Sequence, residues 1–320
     1  AAPSVAASRD MELDSGVPGV GAEAGSDGDA QVFVARPVGL EHLGVTGATR
    51  RIVGLSAANG SVLAAFQNGD VVRWYPIEDE ASPIDFGRDR CNDIGRVFLE
   101  PKGFHSLVTN SGGDSWYLNF QSNQAKVLPK LKGHVIEAVS WDPDSTATST
   151  KDMIVGTIGG QILHVVIEGK ERAVRPLFTF DLGYRVPICG VQRERSVSAA
   201  DGSERTILFV AAACGVYAFV GPSLETLFQK YQGESAVVRA LVYEVPRDSP
   251  HGDLVIDSAC VGPPSQKVLF WLTGVGVLAA AIKNPIEADN AVLEWPPGLI
   301  PFPRSPKAQA QSRSGGSLVS

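Results

Sequence analysis

The stretch Ser61-Val62-Leu63-Ala64-Ala65-Phe66-Gln67, Asn68-Gly69-Asp70, Val71-Val72-Arg73-Trp74-Tyr75 decides the fold. An apolar run enters an Asn-Gly turn and a second apolar run leaves it, the strongest short-range signal for a β-hairpin. The outline returns four times. His105–Thr109 leads through Gly112-Gly113-Asp114 into Trp116-Tyr117-Leu118, and Met153–Thr157 leads through Gly159-Gly160 into Ile162–Val166. Thr206–Ala211 leads through Cys214-Gly215 into Val216–Phe219, and Lys267–Leu272 leads through Gly274-Val275-Gly276 into Val277–Ile282.

The turn glycines Gly69, Gly113, Gly160, Gly215 and Gly276 are 44, 47, 55 and 61 residues apart. A propeller blade of four strands takes about 40–50 residues. Strand-like runs precede the hairpins at Arg51–Leu55, Arg96–Leu99, Val135–Trp141, Ile188–Gln192 and Val237–Val245. Others follow at Ala125–Leu128, Pro176–Phe180 and Leu224–Tyr231. Helical periodicity is scarcely visible. The growing spacing points to loop insertions at Asp144–Lys151, Arg193–Glu204 and Pro246–Gly252, all rich in Ser, Asp and Gly. One aromatic per unit (Trp74, Trp116, Trp141, Tyr217, Trp271) reads as packing between blades. The expected fold is therefore all-β: a β-propeller of five to seven four-stranded blades, complete or incomplete.

Residues 31–300 are assigned to the propeller, and its flanks to disorder. Residues 1–30 hold six acids against Arg9 and few large apolar side chains, and 301–320 form a basic, low-complexity tail. Either the ring is incomplete or the weak strand Gln31–Ala35 helps to close it. The expected state is an open or loosely closed ring with exposed strand edges. The first residue, Ala1, suggests a fragment or a processed product.

Composition removes several classes of function. The chain has 320 residues, is 44% hydrophobic and 20% charged, and carries a net charge of −7. No basic face is concentrated enough to predict nucleic-acid binding. No apolar run reaches the ~18 residues of a membrane span, and no secretory signal is evident. Asn59-Gly60-Ser61 then reads as a turn rather than a glycosylation site. Cys91, Cys189, Cys214 and Cys260 lie far apart; buried thiols in a reducing compartment are expected, with two disulfides the alternative.

The search for catalytic chemistry finds fragments. Val268–Ala279 contains Gly274-x-Gly276-x-x-Ala after a strand, with Glu294 about 20 residues on, as a dinucleotide site would want. Gly274 and Gly276 also occupy the turn position of the repeat, so a dinucleotide-binding enzyme is the remote alternative. Asp85-Phe86-Gly87 matches a kinase tripeptide without its companion motifs. His42, His105, His134, His164 and His251 are scattered, which predicts no metal site. Asp142 and Asp144 flank Pro143 and read as a solvated turn. No catalytic residue, cofactor or metal is predicted.

Lys132-Gly133-His134 with Trp141-Asp142 superficially suggests a WD repeat, but Trp-Asp closes the first strand of its unit instead of the third. An unrelated WD-like or coat-like propeller scaffold is the nearer alternative. Lys132-Gly133-His134-Val135-Ile136-Glu137-Ala138-Val139-Ser140-Trp141, followed by Ile154-Val155-Gly156-Thr157-Ile158-Gly159-Gly160-Gln161-Ile162, resembles the vacuolar protein sorting subunit eighteen family, also called the Pep-three or deep orange family. Val97–His105, Trp116–Asn119, Arg175–Phe178 with Pro187–Cys189, and Phe270–Gly276 resemble further family segments in the same order. The likeness spans Arg51 to Ile282.

That resemblance implies a non-enzymatic core subunit of the HOPS and CORVET tethering complexes. It implies other class C vacuolar sorting subunits as partners, with Rab GTPases and SNARE proteins engaged through the assembled complex. It implies peripheral attachment on the cytosolic face of late endosome, lysosome or vacuole. The family's helical solenoid and zinc-binding RING have no counterpart in this sequence, so neither zinc nor ubiquitin-ligase activity is carried over.

Overall fold

A computed structural model describes residues 51–87, 93–168, 170–180, 186–212, 215–232, 236–244, 258–261, 267–273, 276–288 and 291–301. Among these residues the chain forms five antiparallel four-stranded sheets, each built from strands in sequence order. The first blade comprises β1 (Ile52–Ala58), β2 (Ser61–Phe66), β3 (Val71–Tyr75) and β4 (Glu80–Pro83). The second comprises β5 (Ile94–Leu99), β6 (His105–Asn110), β7 (Ser115–Asn119) and β8 (Lys126–Val127). The third comprises β9 (Ile136–Ser140), β10 (Met153–Thr157), β11 (Gln161–Glu168) and β12 (Lys170–Thr179). The fourth comprises β13 (Ile188–Val197), β14 (Glu204–Ala212), β15 (Gly215–Gly221) and β16 (Leu241–Glu244). The fifth comprises β17 (Ser258–Val261), β18 (Val268–Thr273), β19 (Gly276–Ala281) and β20 (Gly298–Pro301). The β-propeller expected from the repeat is the fold observed.

Turn chemistry accounts for the hairpins. Asn59 and Gly60 both have positive φ (46° and 72°), so this two-residue connection between β1 and β2 has the backbone hand of a type I′ turn. Gly69, Gly113 and Gly160 sit at φ of 88°, 84° and 79°, a region that costs other residues strain.

Successive residues on a strand face opposite neighbours, which explains the unbroken apolar runs. On β14, Leu208, Val210 and Ala212 pack towards the third blade, while Ile207, Phe209 and Ala211 pack towards the fifth. The blade aromatics behave as expected at four positions. Trp116, Tyr217 and Trp271 are buried in clusters between blades, and Trp141 packs, partly buried, between the second and third.

Three assignments are corrected. Leu224–Tyr231 is a series of turns, not a strand. Leu224, Leu227, Phe228 and Tyr231 are all buried in one cluster, and their spacing of three and four residues is the helical period. Val237–Val245 was expected to open the fifth blade, but its described part is a short helix, α1 (Ala236–Ala240), followed by β16, the outer strand of the fourth. The fifth blade opens with β17. Arg193–Glu204 is a strand hairpin rather than a loop throughout, since β13 runs to Val197 and β14 starts at Glu204, with Arg193 pairing with Leu208 and Val197 with Glu204. That long hairpin reaches the fifth blade, where the Ala199 amide donates to the Ile286 carbonyl (2.8 Å) and the Ile286 amide to the Val197 carbonyl (2.8 Å). Residues 1–50, 302–320 and Pro246–Gly252, to which flexible or weak elements were assigned, lie outside the described residues.

Candidate functional site

The first strands of the blades converge on a cavity of about 500 Å³, lined by β1, β5, β9 and β13 and the residues that follow them. Leu55, Phe98, Val139 and Trp141 supply apolar parts of its wall. Arg96 of the second blade donates to the Glu137 carboxylate of the third there at 3.0 Å. That pair is half-exposed and contributes little to stability, but it neutralises the charge at the cavity edge.

A second, polar cleft of about 770 Å³ lies between the outer part of the second blade and the loop 142–152 of the third. The loop follows β9 and is held from beneath. Asp142 Oδ1 accepts the Asp144 amide (2.8 Å) and Oδ2 accepts the Asp152 amide (3.2 Å), which closes the loop on itself. Glu100, at 1% exposure, accepts from Ser145 Oγ (2.7 Å), and Lys102 Nζ donates to the Ser145 carbonyl (2.8 Å). Asn119 Nδ2 donates to the Ala147 carbonyl (2.9 Å). A segment expected to be an insertion is thereby locked to the neighbouring blade, while Pro143, Asp144, Thr146, Thr148, Lys151 and Asp152 stand exposed on it.

His105 is fully buried beneath this loop, with Nδ1 2.7 Å from the Tyr117 hydroxyl and Nε2 2.6 Å from the Thr146 carbonyl. Since a carbonyl only accepts, Nε2 carries the proton and Nδ1 receives the tyrosine proton. Burial pushes the imidazole below its ordinary value, against the opposing pull of the Thr146 carbonyl. Burial also pushes the Tyr117 phenol up. His164 is similarly engaged: Nδ1 accepts from Arg175 Nε (3.0 Å) and Nε2 lies 2.7 Å from Asp152 Oδ1. With both nitrogens of each ring occupied, neither His105 nor His164 is placed as a general base.

Asp142 overturns the reading as a solvated turn. Its Oδ2 is 2.6 Å from Arg193 Nη2 of the fourth blade, with both side chains 5% exposed. Burial pushes its carboxyl up, but hydrogen bonds from Arg193 and the Asp144 and Asp152 amides pull it below the usual range. Asp144 does lie at the surface, bonded to Arg195 (2.8 Å). Sequence reasoning missed the pair because its partners are 51 residues apart and Arg193 stands at the start of a polar stretch that reads as an inserted loop.

The remaining motif fragments also resolve into structure. Gly276 opens β19, a strand and not a helix, and a Cβ there would meet the Ile300 and Pro301 backbone of β20, so the dinucleotide reading of Gly276 fails. Gly274 lies outside the described residues, and Glu294 is an exposed residue whose amide bonds to the Ala281 carbonyl. Phe86 of the Asp-Phe-Gly tripeptide packs edge-on against Trp116 at 5.7 Å. Among the described residues no group of three or more His, Cys, Asp or Glu is placed to hold a metal ion. Among them, too, no helix is long and apolar enough to cross a membrane. The arrangement offers shaped surface and a rigid rim loop.

Comparison with known proteins gives concordant results. Residues 37–314 match the model of the Pep3/Vps18/deep orange beta-propeller domain. Vacuolar sorting protein 18 of Arabidopsis thaliana is 25% identical over 232 residues, covering 70% of this chain and 23% of that protein. The vacuolar protein sorting-associated protein 18 homolog of Danio rerio is 23% identical over 217 residues, 62% of this chain and 22% of that one. The vacuolar membrane protein pep3 of Schizosaccharomyces pombe is 29% identical over 92 residues, 27% of this chain and 10% of that protein. The chain thus spans less than a quarter of the length of these relatives.

Proposed function

The chain belongs to the Pep3/Vps18/deep orange β-propeller family, and from that membership we propose that it is the propeller portion of a non-enzymatic scaffold that tethers membranes on the endosome-to-vacuole or lysosome route. The resemblance drawn from the Lys132–Trp141 and Ile154–Ile162 motifs is borne out by the family match. The observation that carries the functional reading is the match itself, which runs across all five blades. In this reading the partners are the other class C vacuolar sorting subunits, within HOPS and CORVET, and Rab GTPases and SNARE proteins are met through the assembled complex. The complex would hold the chain peripherally on the cytosolic face of late endosome, lysosome or vacuole.

The geometry supports a scaffold role. Flat blade faces and rim loops suit protein contact spread over many residues, and the buried polar groups around loop 142–152 are committed to holding it rigid. The test is affinity purification of the full-length gene product from cells, with mass spectrometry of co-purifying proteins. Recovery of the other class C subunits is expected; their absence beside a working positive control overturns the tethering role and leaves a propeller of unknown partners.

A further inference from the structure

The loop 142–152 is held in place by polar groups, with no apolar burial of its own to offset their desolvation. Four hydrogen bonds tie Ser145–Ala147 to the second blade: Lys102 Nζ donates to the Ser145 carbonyl and Ser145 Oγ to Glu100, His105 Nε2 donates to Thr146, and Asn119 Nδ2 to Ala147. Glu100 and His105 are both buried beneath the loop, an arrangement that is unfavourable unless their bonds are made. Yet no residue of 142–152 belongs to an apolar cluster. The arrangement fixes a surface in advance, which lowers the ordering cost of binding something to it.

The fixed surface is rich in donors. Thr146 and Ser149 exchange backbone hydrogen bonds (2.9 and 3.1 Å), so Ala147 and Thr148 form the tip of a two-residue hairpin, and the amides of both donate to no described group. All four residues line the polar cleft of about 770 Å³, with Lys126 and Lys151 beside them. The Lys151 amide donates to Ser149 Oγ (3.1 Å), and its exposed ammonium has no partner among the described residues. The one carboxylate among the lining residues, Glu168, already accepts from Ser149 Oγ (3.2 Å). The volume falls within the roughly 300–1,000 Å³ of ligand sites, but the mostly apolar wall of a small-molecule pocket is missing. Every lining residue belongs to the second or third blade.

We propose that this cleft docks a short acidic peptide segment of a partner protein, whose carboxylates accept from the Ala147 and Thr148 amides, the Thr146 and Thr148 hydroxyls and the Lys151 ammonium. An ionised carboxylate is acceptor-only, so it complements a lining with donors to spare, and charge-assisted hydrogen bonds are the stronger kind. The chain as a whole carries a net charge of −7, which repels an acidic ligand at a distance. Retention of such a ligand therefore reports the local arrangement of the cleft rather than overall attraction.

The test is fluorescence anisotropy of the full chain with a fluorescein-labelled peptide of alternating Asp and Gly, beside the same peptide with Asn in place of Asp. The acidic peptide should bind and the Asn peptide should not. Lys151→Glu should weaken binding roughly tenfold or more, the equivalent of one charge-assisted hydrogen bond. Lys132→Glu, the same charge change at an exposed site outside the cleft, should leave it within about twofold. Lys151 has a φ of 50°, a region that asparagine tolerates, so Lys151→Asn replaces the glutamate variant if circular dichroism melting shows a disturbed fold. An acidic peptide that does not bind overturns the proposal. Equal losses from Lys151→Glu and Lys132→Glu overturn it too, by showing diffuse attraction. Tighter binding of a peptide of Asn and Gly with one phosphothreonine would overturn it in favour of a phosphate site. No other subunit enters the measurement, so its outcome is independent of the co-purification test of the tethering role.

Discussion

Asp142 and Arg193 tie the third blade to the fourth through a buried ion pair, Oδ2 to Nη2 2.6 Å, with each side chain 5% exposed. The Arg193 amide adds a second cross-blade bond to Ser140 Oγ at 2.9 Å. Removing one partner leaves the other charge buried and uncompensated. Arg193→Met should therefore destabilise the chain by about 3–5 kcal/mol, read as a shift in the urea midpoint with an unchanged slope. Asp142→Asn combined with Arg193→Met should recover part of that loss, since no orphan charge remains and the amide oxygen still accepts from one of the two loop amides. Additive single effects would contradict the pairing.

His105 makes stability depend on pH. Its folded value lies below the ordinary 6.5 because the buried ring resists charging. The folded state thus binds fewer protons than the unfolded one as pH falls through 6.5, so stability is full above that pH and declines below it. Asp142 acts in a lower window: its depressed carboxyl stabilises the fold above 3.8 and is lost as pH falls further. Equilibrium unfolding from pH 8 to pH 5 should show the first decline, and His105→Gln should flatten it while lowering stability at pH 8. A wild-type profile flat across that window would contradict this account.

Gly156 is a point of close approach between the third and fourth blades. A Cβ there would lie 2.5 Å from Ile188 Cγ2 and 2.9 Å from Val191 Cγ2, in a region without slack. Gly156→Ala is expected to cost about 1–3 kcal/mol through overpacking, and its combination with Ile188→Ala, a cavity-forming change at a fully buried site, should cost less than the sum of the two single changes. Thermal melts of the two variants and their combination provide the measurement.

Phe228 checks the reassigned segment that follows β15. Its ring stacks on Phe178 at 4.8 Å and 13° and meets Phe219 at 5.0 Å, although residues 222–231 carry no strand. Phe228→Ala should cost about 3–5 kcal/mol, as for other buried aromatics. A cost within about 0.5 kcal/mol, typical of a surface site, would show that the segment does not close the core.

Much of the architecture is legible from local signals. Asn-Gly and Gly-Gly turns between apolar runs depend on residues a few positions apart, so the hairpins β2–β3, β6–β7 and β10–β11 can be placed from short segments alone. The fourth blade is less legible. Leu224–Tyr231 is as apolar as a strand, and only its spacing of three and four distinguishes it. The Asp142–Arg193 pair is not legible at all, because its partners come from different blades, and the buried state of His105 is not legible either, because Tyr117 lies on its own hairpin but Thr146 comes from a loop of the next blade.

The sequence by itself determined that the chain folds as repeated antiparallel sheets, since period-two apolarity and turn residues with positive φ are properties of short segments. Tertiary structure decided which of those sheets' faces became interior. Leu63 and Leu55 are equally apolar and lie on paired strands, yet Leu63 is fully buried against the second blade and Leu55 is 62% exposed. The difference is the presence of a neighbour, and burial is a property of the pair of surfaces that meet.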